Sequence, residues 1–222
     1  MRTIKNFALW SAVFSLMPNP KCGPFNLKSL WQDSLRRGLF ARTIGKMLGV
    51  KDLEDLFTAA LLQDMAVPLL AKEMPQDYLK LLEQRDGGKV RLSDLEQEQF
   101  GWTHAQAAGM MARGWSLPEE VAILIEAHID IDLNNLEGDS APRKLAVGLS
   151  TLLPASTDKA WSERPRFDAD FSKLFGDDGP TVSKILDQTD HEFTDIAPFL
   201  KLGIPNKSLV DTYNEFKPVS AL

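Results

Sequence analysis

Phe57-Thr-Ala-Ala-Leu-Leu-Gln-Asp-Met-Ala-Val-Pro-Leu-Leu70 is an apolar run broken once, by the pair Gln63-Asp64. Asp52 stands upstream as a cap, and the spacing predicts a helix through Ala59-Ala60-Leu61-Leu62 to Pro68. A free carboxylate behind such a run is costly, so Asp64 needs an ion-pair partner, a hydrogen bond or a metal. Carboxylate oxygen is a good ligand for a divalent ion and a neutral amide a poor one. The pair therefore carries one good donor, Asp64.

The helical pattern continues on both sides. Leu27, Leu30, Trp31, Leu35, Leu39 and Leu48 recur at three- and four-residue spacings and mark one long amphipathic helix. Pro75 opens a short helix that Asp86-Gly-Gly88 ends. Ser93 with Glu96, and Ser116 with Glu119, read as capping boxes, with Pro118 in the first turn of the second. No alternating run of β-branched residues is long enough for a sheet, so the fold class is all-α. Beyond Leu153, the stretch Pro154 to Pro165 reads as a linker or long loop. Helices are then expected around Asp168–Phe175, Thr181–Gln188 and Ser208–Phe216. This divides the chain into a helical domain, residues 1–153, and a linker with a C-terminal helical extension, residues 154–222. The extension either packs on the main body or forms a docking arm.

Three further segments frame Gln63-Asp64. Upstream is Leu30-Trp-Gln-Asp-Ser34. Downstream are Phe100-Gly-Trp-Thr-His-Ala-Gln-Ala-Ala-Gly109 and Gly114-Trp-Ser-Leu-Pro-Glu-Glu-Val-Ala-Ile-Leu-Ile-Glu-Ala-His128. In that order and spacing they resemble the HDOD domain, a bacterial signalling relative of the HD and HD-GYP phosphohydrolases. The family patterns they resemble are Trp-x-His-Ser, His-Asp-Ile-Gly, Phe-Gly-x-x-His-x-x-x-Gly, and Trp-x-Leu-Pro followed by His-His. The resemblance covers roughly residues 1–150. It implies an HD-domain-like helical bundle and a role as an output or sensing module. It also implies a further block of helices before the first segment, so that either the domain is shortened here or the sequence given begins inside it.

An HD-type site gathers imidazoles and carboxylates from several helices onto one ion, which activates a water for attack on phosphorus. At the matching positions Asp33, Gln63 and Ile129 each stand where the family has histidine. Asp64, His104 and His128 remain as donors, with Asp33 a weak fourth. The resemblance thus implies a ligand pocket of Asp33, Gln63, Asp64, His104 and His128 with no catalytic residue and no expected metal. The alternative is Mn or Fe held by Asp64, His104 and His128. Read as ordinary residues, Asp33 is a solvated acid paired with Arg37 one turn on, and Gln63 makes structural hydrogen bonds. His104 follows Thr103, an N-cap, at a helix N-terminus that disfavours the imidazolium, so a neutral ring is expected. The small face of that helix, Ala105, Ala108, Gly109 and Ala112, admits a neighbouring helix closely. His191 reads as a surface residue.

Composition narrows the function classes. The net charge of −6 argues against broad nucleic-acid binding, which needs clustered Lys and Arg. The single cysteine, Cys22, excludes an internal disulfide and fits a reducing cytoplasm. The run Phe7 to Met17 is far shorter than a membrane span and reads as a core helix. Without the upstream block, Phe7, Trp10 and Phe14 would present apolar surface for a partner or a homodimer. The five tryptophans read as core and helix-contact residues. There is no Gly-rich phosphate loop, no paired-Cys zinc spacing and no nucleophile elbow.

Three functions follow as expectations. One is a non-catalytic regulatory domain that binds a signalling protein or a small ligand. The second is a divergent metal-dependent phosphohydrolase of nucleotides or cyclic dinucleotides. The third is a helical interaction scaffold.

Overall fold

A computed structural model describes residues 10, 12–130, 138 and 140–216. All regular structure among them is helical. The long helix α1, Leu27–Met47, is the axis of the fold and buries Trp31, Leu35, Leu39, Phe40 and Ile44. Asn26 caps it by accepting the Ser29 N–H at 3.0 Å. Against it packs α2, Leu53–Leu62. Gly38 permits the approach, since a Cβ there would lie 3.1 Å from the Phe57 carbonyl oxygen.

The helix expected to run on to Pro68 ends instead at Leu62. Gln63-Asp64-Met65 form a turn, and α3, Ala66–Glu73, begins anew. The break places Pro68 in a first turn, where its missing N–H costs nothing. Asp52 makes no side-chain cap and faces Arg143 at 3.3 Å instead. Next come α4, Pro75–Gln84, and α5, Leu92–Phe100. Ser93 lies inside α5, and Glu96 turns into the interior, so neither forms the expected capping box. The box expected at Ser116 and Glu119 also fails. Ser116 sits in a turn at φ +57° and α7, Glu119–Glu126, starts after Pro118. Thr103 does precede α6, His104–Gly114, and its N–H is accepted by Gln106 Oε1 at 3.0 Å. A Cβ on Gly109 would lie 2.7 Å from the Glu126 Cβ, so α6 and α7 meet as closely as the small face predicts.

Four more α-helices follow: α8, Ala141–Thr151; α9, Arg164–Phe175; α10, Val182–Ile196; and α11, Leu209–Glu215. They share the core of α1–α7. Trp161, Phe167, Phe171, Ile185, Leu186 and Leu209 lie in one buried cluster with Phe40, Ile44, Leu62 and Ile125. Each large apolar side chain buried there contributes about 1.5–3 kcal/mol relative to exposure. Polar ties join the same parts. Arg36 Nη2 donates to the Lys207 carbonyl at 2.6 Å, and Asp190 Oδ2 accepts the Leu209 N–H at 2.7 Å.

The stretch read as a linker is fastened along its length. The Lys159 and Ala160 N–H groups donate to the Gly87 carbonyl at 2.8 and 3.0 Å. Arg85 grips Asp158 with two bonds, at 2.5 and 2.7 Å. Trp161 Nε1 donates to the Leu152 carbonyl at 2.7 Å.

At the N-terminal end, Phe7 lies outside the described residues. Trp10 is buried against Phe57 with ring centroids 4.4 Å apart, so it does not offer the exposed surface expected of it. Half-buried Phe14 stacks on Trp31 at 4.2 Å. Cys22 is buried too, with its thiol 3.5 Å from the Pro75 carbonyl. Trp115 departs from the expected core role and is 40% exposed. Among the described residues no helix is long and apolar enough to cross a membrane.

Candidate functional site

The turn at Gln63–Met65 decides the site. By ending α2 it aims Asp64 between the start of α6 and the end of α7. Asp64 Oδ1 lies 3.3 Å from His104 Nε2 and 3.7 Å from His128 Nε2. One ligand atom from each of the three lies within 4.8 Å of the others, and all three residues are buried. The two imidazole rings stand 5.3 Å apart.

Each ring is braced from behind. His104 Nδ1 meets Glu96 Oε2 at 2.6 Å, and the same oxygen accepts the His104 backbone N–H at 2.8 Å. Tyr78 donates to Glu96 Oε1 at 2.6 Å, so this fully buried carboxylate is satisfied on both oxygens. His128 Nδ1 faces the Ile125 carbonyl at 2.6 Å. A carbonyl only accepts, so Nδ1 carries the hydrogen in the neutral ring and Nε2 keeps its lone pair. That Nε2 is buried and has no hydrogen-bond partner.

A cation also faces Asp64. Arg37 Nη1 donates to Asp64 Oδ2, while Arg37 Nη2 donates to the Leu153 carbonyl at 3.3 Å. Burial alone would raise the Asp64 carboxyl. The Arg37 guanidinium, helped by His104 and His128, instead holds it well below the usual carboxylate range. Burial alone would lower His104, but Glu96 and the hydrogen bonds to Asp64 and Glu96 raise it to about 10. The neutral His104 expected from its helix position is therefore corrected. Two carboxylates outweigh a helix terminus and favour the imidazolium. Burial pushes His128 down to about 4, so it is neutral.

Asp33 is not the solvated acid expected. It is buried, and its carboxylate accepts the Ser156 N–H at 3.0 Å and the Ser156 hydroxyl at 3.2 Å. Burial pushes it up to about 6 against the pull of Arg37 and Ser156. Arg37 bonds Asp64, across the site, rather than Asp33 one turn before it. Gln63 is fully buried and receives a 3.4 Å bond from the Thr151 hydroxyl, as a structural residue would. His191 is exposed.

Above this floor opens a cavity of about 560 Å³. Asp33, Arg37, Asp64, His104 and His128 line its base, and its walls mix apolar Phe25, Val67, Leu92, Leu153 and Trp161 with charged Arg85, Lys89 and Arg91. The fastened 153–163 stretch forms one side. Gln63 lies behind the base rather than in it. Sequence reasoning passed over Glu96, Tyr78 and Ser156. Arg37 was legible as a charge but was given the wrong partner.

Two imidazole nitrogens and a carboxylate oxygen converge, and braced Nδ1 atoms are what metal-bound histidines use. Asp64, however, already carries a guanidinium. An ion seated on Oδ1 would share one carboxylate with that fixed positive charge. As they stand, the residues do not fit a divalent ion.

The all-α bundle brings one aspartate and two histidines together from three separate segments of the chain. A model of the HDOD domain matches residues 1–131, and the chain belongs to that family. No curated protein matches it in sequence. Among solved structures, an HDOD domain protein of unknown function from Geobacter sulfurreducens is 18% identical, with a TM-score of 0.63. The match covers 88% of this chain and 67% of that one. A candidate phosphohydrolase from Shewanella amazonensis SB2B is 15% identical with a TM-score of 0.56, over 96% and 68% of the two chains. A candidate signal transduction protein from Marinobacter aquaeolei VT8 is 18% identical with a TM-score of 0.62, over 88% and 43%. At these identities the likeness shows the fold.

Proposed function

We propose that this chain is a non-catalytic HDOD regulatory domain of a cytoplasmic bacterial signalling pathway. It acts by binding a small ligand in the 560 Å³ cavity and passing the result to a signalling protein. The cavity carries this reading. Its base is a polar cluster, and its walls combine apolar side chains with charged ones such as Arg85, Lys89 and Arg91, as a site for a small polar molecule would. One side belongs to residues 153–163, outside the 1–131 family match. A ligand there touches both the HDOD helices and the C-terminal extension, so it favours one arrangement of the two over another. On this reading residues 154–222 relay the signal rather than act as a separate arm, and neither nucleic acid nor membrane is a partner.

The test is a thermal-shift screen of nucleotides and cyclic dinucleotides, with hydrogen exchange on any hit. A hit that protects residues 86–92 and 154–162 together supports the reading. Stabilising hits that leave both stretches unprotected contradict it.

A second reading, a metal-dependent phosphohydrolase, would require the Asp64–His104–His128 triad to take a divalent ion in spite of Arg37. Turnover of bis(p-nitrophenyl) phosphate with Mn²⁺, lost in His128→Ala, would establish it over the first.

A further inference from the structure

The metal-type geometry around Asp64 is intact behind the ligands and closed in front. Glu96 and the Ile125 carbonyl fix both Nδ1 atoms, so both Nε2 atoms turn toward Asp64 Oδ1. His128 Nε2 is a buried acceptor without a partner, and the oxygen nearest it at 3.7 Å is another acceptor. Two acceptors side by side call for a cation or a donor between them. Oδ1 already faces the His104 ring at 3.3 Å, and a fixed guanidinium answers Asp64 from the far side, on Oδ2. Arg37 supplies it with a side chain 13% exposed and anchored on the Leu153 carbonyl at 3.3 Å.

We propose that Arg37 stands in for a metal ion. Its guanidinium is the resident counter-cation of Asp64, and it keeps closed a latent divalent-cation site made of Asp64 Oδ1, His104 Nε2 and His128 Nε2. The physical reason is repulsion at short range. A divalent ion on Oδ1 would sit within a few ångströms of a fixed guanidinium, where like charges oppose each other strongly at the dielectric of a protein interior. With Arg37 neutralised, Asp64 would be a buried carboxylate without its main counter-charge, and a divalent ion would answer that need. This inference concerns the charge balance of the floor and stands apart from whichever ligand the cavity takes.

The experiment is cobalt(II) titration of wild type, Arg37→Met and Arg37→Gln, read by visible absorption and by melting temperature. Cobalt is the probe because its d–d bands report nitrogen and oxygen ligation without any activity. Wild type is expected to show no saturable bands. Both variants are expected to bind one equivalent at least about 100-fold more tightly than wild type. Their melting temperatures should rise on binding, and the bands should vanish in Arg37→Met with Asp64→Asn. The glutamine variant keeps a donor toward Asp64, so it guards against a fold lost for steric reasons. Three results would overturn the proposal. Wild type could bind one equivalent at Asp64 itself. A folded variant could bind no more tightly than wild type. Both variants could fail to fold even with cobalt present, in which case a divalent ion does not replace the arginine.

Discussion

Glu96 holds His104 at two points, the backbone N–H at 2.8 Å and Nδ1 at 2.6 Å, through a single carboxylate oxygen. Its other oxygen takes the Tyr78 hydroxyl at 2.6 Å. One buried side chain therefore starts α6, orients an imidazole and ties α4 to α5. Glu96→Ala strands all three partners, and the expected loss is about 3–5 kcal/mol in urea unfolding. A loss below about 1 kcal/mol would show that the cluster is not structural.

The histidines give stability a pH signature. His104 is raised from 6.5 to about 10, so its contribution is complete below 6.5 and is lost as pH climbs through 10. His128 is lowered to about 4 and contributes above 6.5, losing that contribution as pH falls toward 4. Asp33, raised from 3.8 to about 6, works the other way and favours the fold as pH falls from 6 to 3.8. Between pH 6 and 4 the last two oppose each other. Asp33→Asn should therefore make stability fall more steeply with acid than in wild type. Urea midpoints at pH 4.5, 6 and 7.5 measure this, and a flatter acid limb in the variant would refute it.

Asp33 also fastens the 153–163 stretch through Ser156. Removing the carboxylate in Asp33→Ala should free the amides near residue 156 while leaving α1 protected. Hydrogen exchange at residues 154–158 should quicken at least about tenfold, equivalent to about 1.4 kcal/mol of local opening. Unchanged exchange there would mean that the Gly87 and Arg85 contacts suffice alone.

Two glycines offer a paired control. Gly88, at φ +99°, has no room for a Cβ beside the Ala160 carbonyl. Gly101, at φ +74°, has nothing within 4 Å. Alanine at Gly101 should cost about 1 kcal/mol from backbone strain alone, and alanine at Gly88 clearly more. Equal losses in thermal melts would contradict the close packing of the cavity mouth.

Much of the fold was legible. The three- and four-residue spacing of Leu27 to Leu39 gave α1, and three C-terminal helices fell near their expected places. Thr103 stands at the expected N-cap position, and the close face at Gly109 held as well. Several failures came where a polar side chain had a distant partner. Ser93 and Glu96 have capping-box spacing, but Tyr78 and His104 draw Glu96 inward, and nothing local encodes that. Arg37 follows Asp33 at the spacing of a helical ion pair, yet a buried Asp64 is the stronger attractor. The triad was legible because three motifs carry it. Its charge state was not, because that depends on Glu96 and Arg37, which belong to no motif.

The most direct measurement is the metal content of wild type purified without chelator, with Mn²⁺ and Fe²⁺ titrations followed by melting temperature. The account predicts well under one equivalent of metal and no shift in melting temperature, because Arg37 already neutralises Asp64. Near-stoichiometric metal, lost in His104→Ala or His128→Ala, would contradict it and return the site to hydrolase chemistry.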